Sequence, residues 1–102
     1  MILSRNLKPQ QKKLMQSIDT GDLELVKKII KDGCDPNFDT GNAISSSPLY
    51  FSVFKGNLSI VKWLIEEGGA KVSIEDVAYF SENLSKEDIA SYIAAKYLQN
   101  DL

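Results

Sequence analysis

Apolar residues recur at helical spacing in two stretches that match each other. Leu23, Val26, Ile29 and Ile30 stand at i, i+3, i+6 and i+7. Leu58, Val61, Leu64 and Ile65 repeat that spacing thirty-five residues later. Each set predicts an amphipathic helix with one apolar stripe, over about 23–31 and 58–67. The match extends upstream without a gap. Lys13 to Gly33 aligns with Pro48 to Gly68, so that Gly21 pairs with Gly56, Leu25-Val26 with Ile60-Val61, and Gly33 with Gly68. Each unit therefore reads as helix, turn, helix, stop. Gly21 and Gly56 stand just past a first helix, where a left-handed residue ends a helix at least cost. Ser47 is placed to cap the first helix of the second unit, with Pro48 at its first position, where a missing N–H is harmless.

Between the units, residues 34–47 are rich in Pro, Gly, Asn and Ser and predict a turn-rich connector with Asp39-Thr40-Gly41-Asn42 at its tip. A third, degenerate unit follows. Ser73-Ile74-Glu75-Asp76 and Ser85-Lys86-Glu87-Asp88 have the form of capping boxes, predicting helices over about 74–83 and 86–98. Placing Ile89 on Ile60 puts Tyr92 on Trp63 and Ile93 on Leu64. This unit lacks the glycine at its helix–helix turn.

Composition narrows the chemistry. The chain has 102 residues, one Cys, no His and a formal charge of −2. That is the size of one small domain, and 43% hydrophobic content is too high for a disordered chain. One Cys makes no internal disulfide, and the lack of His removes His-based triads and zinc sites. Residues 1–13 carry Arg5, Lys8, Lys12 and Lys13 with no acid, whereas the remainder carries eight Lys against fourteen Asp and Glu. A basic arm this sparse, on an acidic body that repels phosphate, reads as a solvated lead into a helix rather than a nucleic-acid site. The first eight residues hold no apolar core of the kind a secretory signal needs, and no apolar run approaches the length of a membrane span. A cytoplasmic protein is expected, with delivery to a host cell as a variant. The sequons Asn57-Leu58-Ser59 and Asn83-Leu84-Ser85 then read as accidental.

No reaction centre assembles. Gly68-Gly69-Ala70-Lys71-Val72-Ser73 has the residue types of a phosphate loop in the wrong order. Glu66-Glu67, Glu75-Asp76 and Glu87-Asp88 are sequence neighbours, which diverge on a helix and do not share a substrate. Cys34 lacks a His partner and reads as a packed small residue rather than a reactive thiol. Trp63 reads as packing against a neighbouring outer helix. Lys27, Lys28 and Lys31 hint at a membrane surface, but Asp22, Glu24 and Asp32 beside them cancel it. No enzyme activity, cofactor or metal is expected.

The second unit carries a family likeness. Ser47-Pro48-Leu49-Tyr50, then Gly56-Asn57-Leu58-Ser59-Ile60-Val61, then Gly68-Gly69-Ala70, resembles an ankyrin repeat, whose period is about 33 residues. In the first unit Gly33-Cys34-Asp35-Pro36-Asn37 stands where that family has a G-A-D-x-N ending. The likeness is strong over residues 12–73 and weak over 74–98. Three departures stand out: Tyr50 replaces the usual His, the connector is slightly long, and Gly69 is an insertion. The resemblance implies an all-α stack of helix-turn-helix repeats forming a single domain over 1–102. Repeat one lies at 12–37, repeat two at 47–73 and a polar C-terminal cap repeat at 74–98.

The family generally binds proteins on a concave side built from first helices and connectors. Carried over by alignment, its variable positions fall on Asp19 and Thr20 in the first unit, and on Ile44, Ser45, Ser46, Phe54 and Lys55 in the second. In the third they fall on Glu82 and Asn83. Phe54 has the profile of an interface anchor, or else packs against Phe80 or Tyr79 of the cap. Phe38 is a second aromatic candidate, or else tucks the connector against the helices. The function implied is a non-catalytic protein-interaction module, monomeric when free, with a protein partner and neither nucleic acid nor membrane. A narrower alternative is a small microbial inhibitor, self-protection protein or host-targeted effector that binds an enzyme.

Overall fold

Gly21 and Gly56 reverse the chain in the same way. In the computed structural model they take φ of +77° and +74°, a region open to glycine at little cost. The Gly21 N–H donates to the Ile18 carbonyl at 3.1 Å and the Asp22 N–H to Ser17 at 2.8 Å. Thirty-five residues on, Gly56 donates to Val53 at 2.9 Å and Asn57 to Ser52 at 3.1 Å. These bonds satisfy carbonyls at the end of each first helix. The next residue caps the second helix: the Asp22 carboxylate accepts from Leu25 N–H and the Asn57 side-chain oxygen from Ile60 N–H, both at 3.1 Å.

The structure describes residues 7–40, 47–83 and 87–100, the side chains of 81–83, 87 and 98–100 excepted. Among the described residues the elements are six helices and no strand: α1 Pro9–Thr20, α2 Leu23–Lys31, α3 Pro48–Phe54, α4 Leu58–Glu66, α5 Ile74–Asn83 and α6 Glu87–Asn100. The helix starting at Pro9 begins before the aligned repeat. Pro9 occupies its first turn, and the Lys8 N–H donates to the Gln11 side chain at 2.8 Å. In α3, Ser47 Oγ accepts from the Tyr50 N–H at 3.2 Å and Pro48 follows the cap, as the sequence predicts. The Ser85 capping box lies outside the described residues.

The chain forms two compact units, residues 1–70 and 71–102. In the first, α1 packs on α2 and α3, α3 packs on α4, and α2 meets α4. Leu14, Met15, Ile18, Val26, Ile29, Leu49, Val53, Ile60, Val61 and Leu64 fill the space between them and are buried. Fully burying a side chain of this kind contributes about 1.5–3 kcal/mol, which sustains helices as short as the seven-residue α3. Two buried hydroxyls keep the period: Ser17 donates to Leu14 at 2.7 Å and Ser52 to Leu49 at 2.8 Å. In the second unit α5 packs on α6. Ser73 and Asp76 form the reciprocal box, with Ser73 N–H donating to the carboxylate at 2.9 Å and Asp76 N–H to the hydroxyl at 3.2 Å. Ile89 and Ile93 are buried, as are Ile60 and Leu64, on which they align.

One register differs from the sequence reading. The sequence alignment makes Gly68 the stop equivalent to Gly33, with Gly69 inserted. The left-handed residues are Gly33 (φ +113°) and Gly69 (φ +84°). After each, the chain closes on the preceding helix, Cys34 N–H to Ile29 at 3.2 Å and Ala70 N–H to Leu64 at 2.9 Å. Gly69 is thus the counterpart of Gly33, and the extra residue lies at 67–68, where Glu67 and Gly68 both donate to the Trp63 carbonyl at 2.9 Å. Gly68 is buried beneath Trp63, and a Cβ there would stand 2.8 Å from the indole and 3.1 Å from the Leu64 backbone. The two endings are also tied together. The Asn37 side-chain amide donates to the Gly69 carbonyl at 2.9 Å, while the Asn37 N–H donates to Asp35 at 2.8 Å.

Gly68→Ala is expected to lower stability by about 1–3 kcal/mol through overpacking. Urea denaturation checks this, and a variant as stable as the parent contradicts the tight seat under Trp63.

Candidate partner-binding surface

The exposed surface of α1 and α3 follows from which side chains the core consumes. On α1, Leu14, Met15, Ser17 and Ile18 turn inward. Lys12, Gln16 and Asp19, at i, i+4 and i+7, therefore form an exposed stripe on the opposite face, with Thr20 beside its lower end. On α3, Leu49, Phe51, Ser52 and Val53 are buried, leaving Phe54 and its neighbour Lys55 exposed at the helix end. Since α1 and α3 lie side by side, these ends meet. Lys55 Nζ stands 3.1 Å from Asp19 Oδ1, each side chain more than a third exposed. Phe54, in the same turn as Lys55, is 56% exposed.

Of the sequence-derived positions, the structure brings Asp19, Thr20, Phe54 and Lys55 to the lower ends of these two helices. The Thr20 hydroxyl turns back onto its own helix, donating to Gln16 and Ser17 at 3.2 and 3.3 Å. Phe38 is half-buried in the connector. Ile44, Ser45 and Ser46 lie outside the described residues, as do the side chains of Glu82 and Asn83 at the end of α5. Sequence reasoning passed over Lys12 and Gln16. Their spacing from Asp19, opposite the buried stripe, was the signal available for them. The Asp19–Lys55 pair had no such signal, since it joins residues on separate helices.

Other candidates resolve differently. Cys34 is buried, and its thiol pKa is raised first by burial and then by the Asp35 carboxylate. Both causes favour the neutral thiol, which is a poor nucleophile. Asn57 uses its side chain to cap α4. Among the described residues no group of three or more His, Cys, Asp or Glu is placed to hold a metal ion, and no helix is long and apolar enough to cross a membrane. A shallow cavity of about 150 Å³ lies at the outer edge of α1 and α2, between Gln10, Lys13, Leu25, Lys28, Ile29 and Asp32. Lys28 and Asp32 pair there at 3.0 Å.

No solved structure matches the chain. The sequence model described as ankyrin repeats, in three copies, matches residues 10–101. With that match spanning nearly the whole length, and with the paired helices and repeated glycine turns described above, the chain belongs to the ankyrin-repeat family.

Proposed function

We propose that this protein is a non-catalytic interaction module that captures a partner protein on the exposed face of α1 and α3, with Phe54 as its anchor. Ankyrin repeats are generally protein–protein interaction modules. The observation that carries the reading is Phe54 itself, a large aromatic side chain 56% exposed at a position the family leaves variable. Aromatic residues near the centre of an interface supply a large share of binding energy, and surrounding polar groups mainly exclude water. Asp19, Thr20 and Lys55 supply such a rim. By the repeat alignment alone, Phe38, Ile44, Ser45 and Ser46 of the connector and Glu82 and Asn83 of the third repeat are further binding positions in this reading. The same reading has the module acting in the cytoplasm as a free monomer, where a single buried thiol stays reduced.

Phe54→Ala removes an exposed side chain, so thermal unfolding should be nearly unchanged while partner capture falls. Parent and variant, immobilised and exposed to lysate of cells that express the protein, are compared by quantitative mass spectrometry, and the affinity for the captured protein is then measured. A loss of about 2 kcal/mol or more is expected, and a loss below about 1 kcal/mol overturns the anchor. The Asp19–Lys55 pair is exposed, so a double-mutant cycle on unfolding should give a coupling below about 1 kcal/mol.

A further inference from the structure

We propose that the α1–α3 face takes an acidic segment of its partner protein, with several Asp or Glu at one end and an apolar residue seated on Phe54 at the other. This rests on the interaction reading above and adds the chemistry of the partner.

The argument is one of uncompensated charge. Among the described residues three lysines face a carboxylate. Lys27 meets Glu24 at 3.4 Å, Lys28 meets Asp32 at 3.0 Å and Lys55 meets Asp19 at 3.1 Å. At the head of α1 the pattern breaks. Lys8 and Lys12 are exposed, no acid lies within four residues of either in sequence, and neither has an ion pair among the described residues, whereas Lys13 turns to the α1–α2 edge beside Lys28 and Asp32. The only carboxylate on the exposed face of α1 is Asp19, and Lys55 neutralises it. The face is therefore positive at the head of α1, electrically quiet at Asp19–Lys55, and apolar at Phe54. Like charges held together on one helix are relieved by an oppositely charged partner, and such complementarity sets orientation and specificity more than raw affinity.

The geometry sets the length of the occupant. Lys8 and Asp19 are eleven residues apart, about 16 Å along the helix axis. An extended segment of about five residues covers that distance at roughly 3.3 Å each, with its acids over Lys8 and Lys12 and its apolar residue on Phe54. A polypeptide fits better than a nucleic acid, because the chain beyond residue 13 carries an excess of six negative charges that a continuous polyanion would have to pass.

The test is a random peptide library displayed on phage, selected on the full-length parent and counter-selected on Phe54→Ala. Enriched sequences should combine three or more Asp or Glu with one Leu, Ile, Met or Phe. A synthetic peptide of the consensus should lose about tenfold in affinity against Lys8→Glu/Lys12→Glu, and a comparable factor on moving from low to high salt. Circular dichroism checks that the variant is folded, and Lys8→Gln/Lys12→Gln, losing less, serves as its conservative partner. Neutral or basic consensus peptides that still need Phe54 overturn the charge assignment and leave the interaction reading standing. Failure to enrich any Phe54-dependent peptide overturns both. Tighter binding of a short single-stranded DNA, or a sedimentation mass above the monomer that Lys12→Glu abolishes, gives the face to a nucleic acid or to a second copy and overturns the proposal.

Discussion

The first unit depends on the side-by-side burial of apolar stripes that no single helix pair can hide. The effect is visible by comparing equivalent positions. Val26 and Val61 are both fully buried, since each faces its own first helix. Leu25 is only half-buried while its counterpart Ile60 is completely buried, because α4 has α2 beside it and the matching flank of α2 has no such neighbour among the described residues. Neighbouring repeats thus finish one another's core, which is why stability in such stacks resides in the interfaces as much as in the repeats.

That constraint also explains the composition of the outer edge. Lys13 and Lys28 occupy the positions that Pro48 and Trp63 fill one repeat later. Pro48 is buried, and Trp63 is half-buried above Gly68. Lysine at the same register has an aliphatic stem that lies along apolar surface and a head that stays in water. The shallow cavity between these lysines and Leu25 is what remains where a neighbour's side chains would interlock.

The repeated elements were legible in sequence because each rests on a local rule: a glycine past a helix end, a capping side chain, a stripe at helical spacing. The helices at 23–31, 58–66 and 74–83 follow those rules closely. The error at Gly68 has a different origin. Two adjacent glycines satisfy the same stop signal, and in the fold they divide the roles: Gly69 takes the left-handed turn, while Gly68 sits against the Trp63 indole where a side chain would clash. The surface was legible in part. Asp19, Thr20, Phe54 and Lys55 follow from the repeat alignment, but alignment places Asp19 on Phe54 and Thr20 on Lys55, and so says nothing of the diagonal pairing of Asp19 with Lys55. The bond from Asn37 to the Gly69 carbonyl was hidden for the same reason, as it spans thirty-two residues.

The diagonal pair bears on how Phe54 can serve as an anchor. An exposed aromatic ring on a short helix gains little as a docking point if the helix shifts when a partner arrives, because ordering the surface then opposes binding. Here α3 is held from below by Phe51 and Val53 in the core, at its start by the Ser47 cap, and at its end by Lys55 on Asp19 of the adjacent helix. The ion pair contributes little to stability at this exposure. It does bridge the α1 and α3 ends at the turn from which Phe54 projects. It also leaves no net charge beside the ring, so an apolar residue approaching Phe54 need not strip water from an isolated charge. Lys12 and Lys8 stand about two and three helical turns from Asp19, toward the head of α1, where their field can orient an approaching chain without opposing the apolar contact.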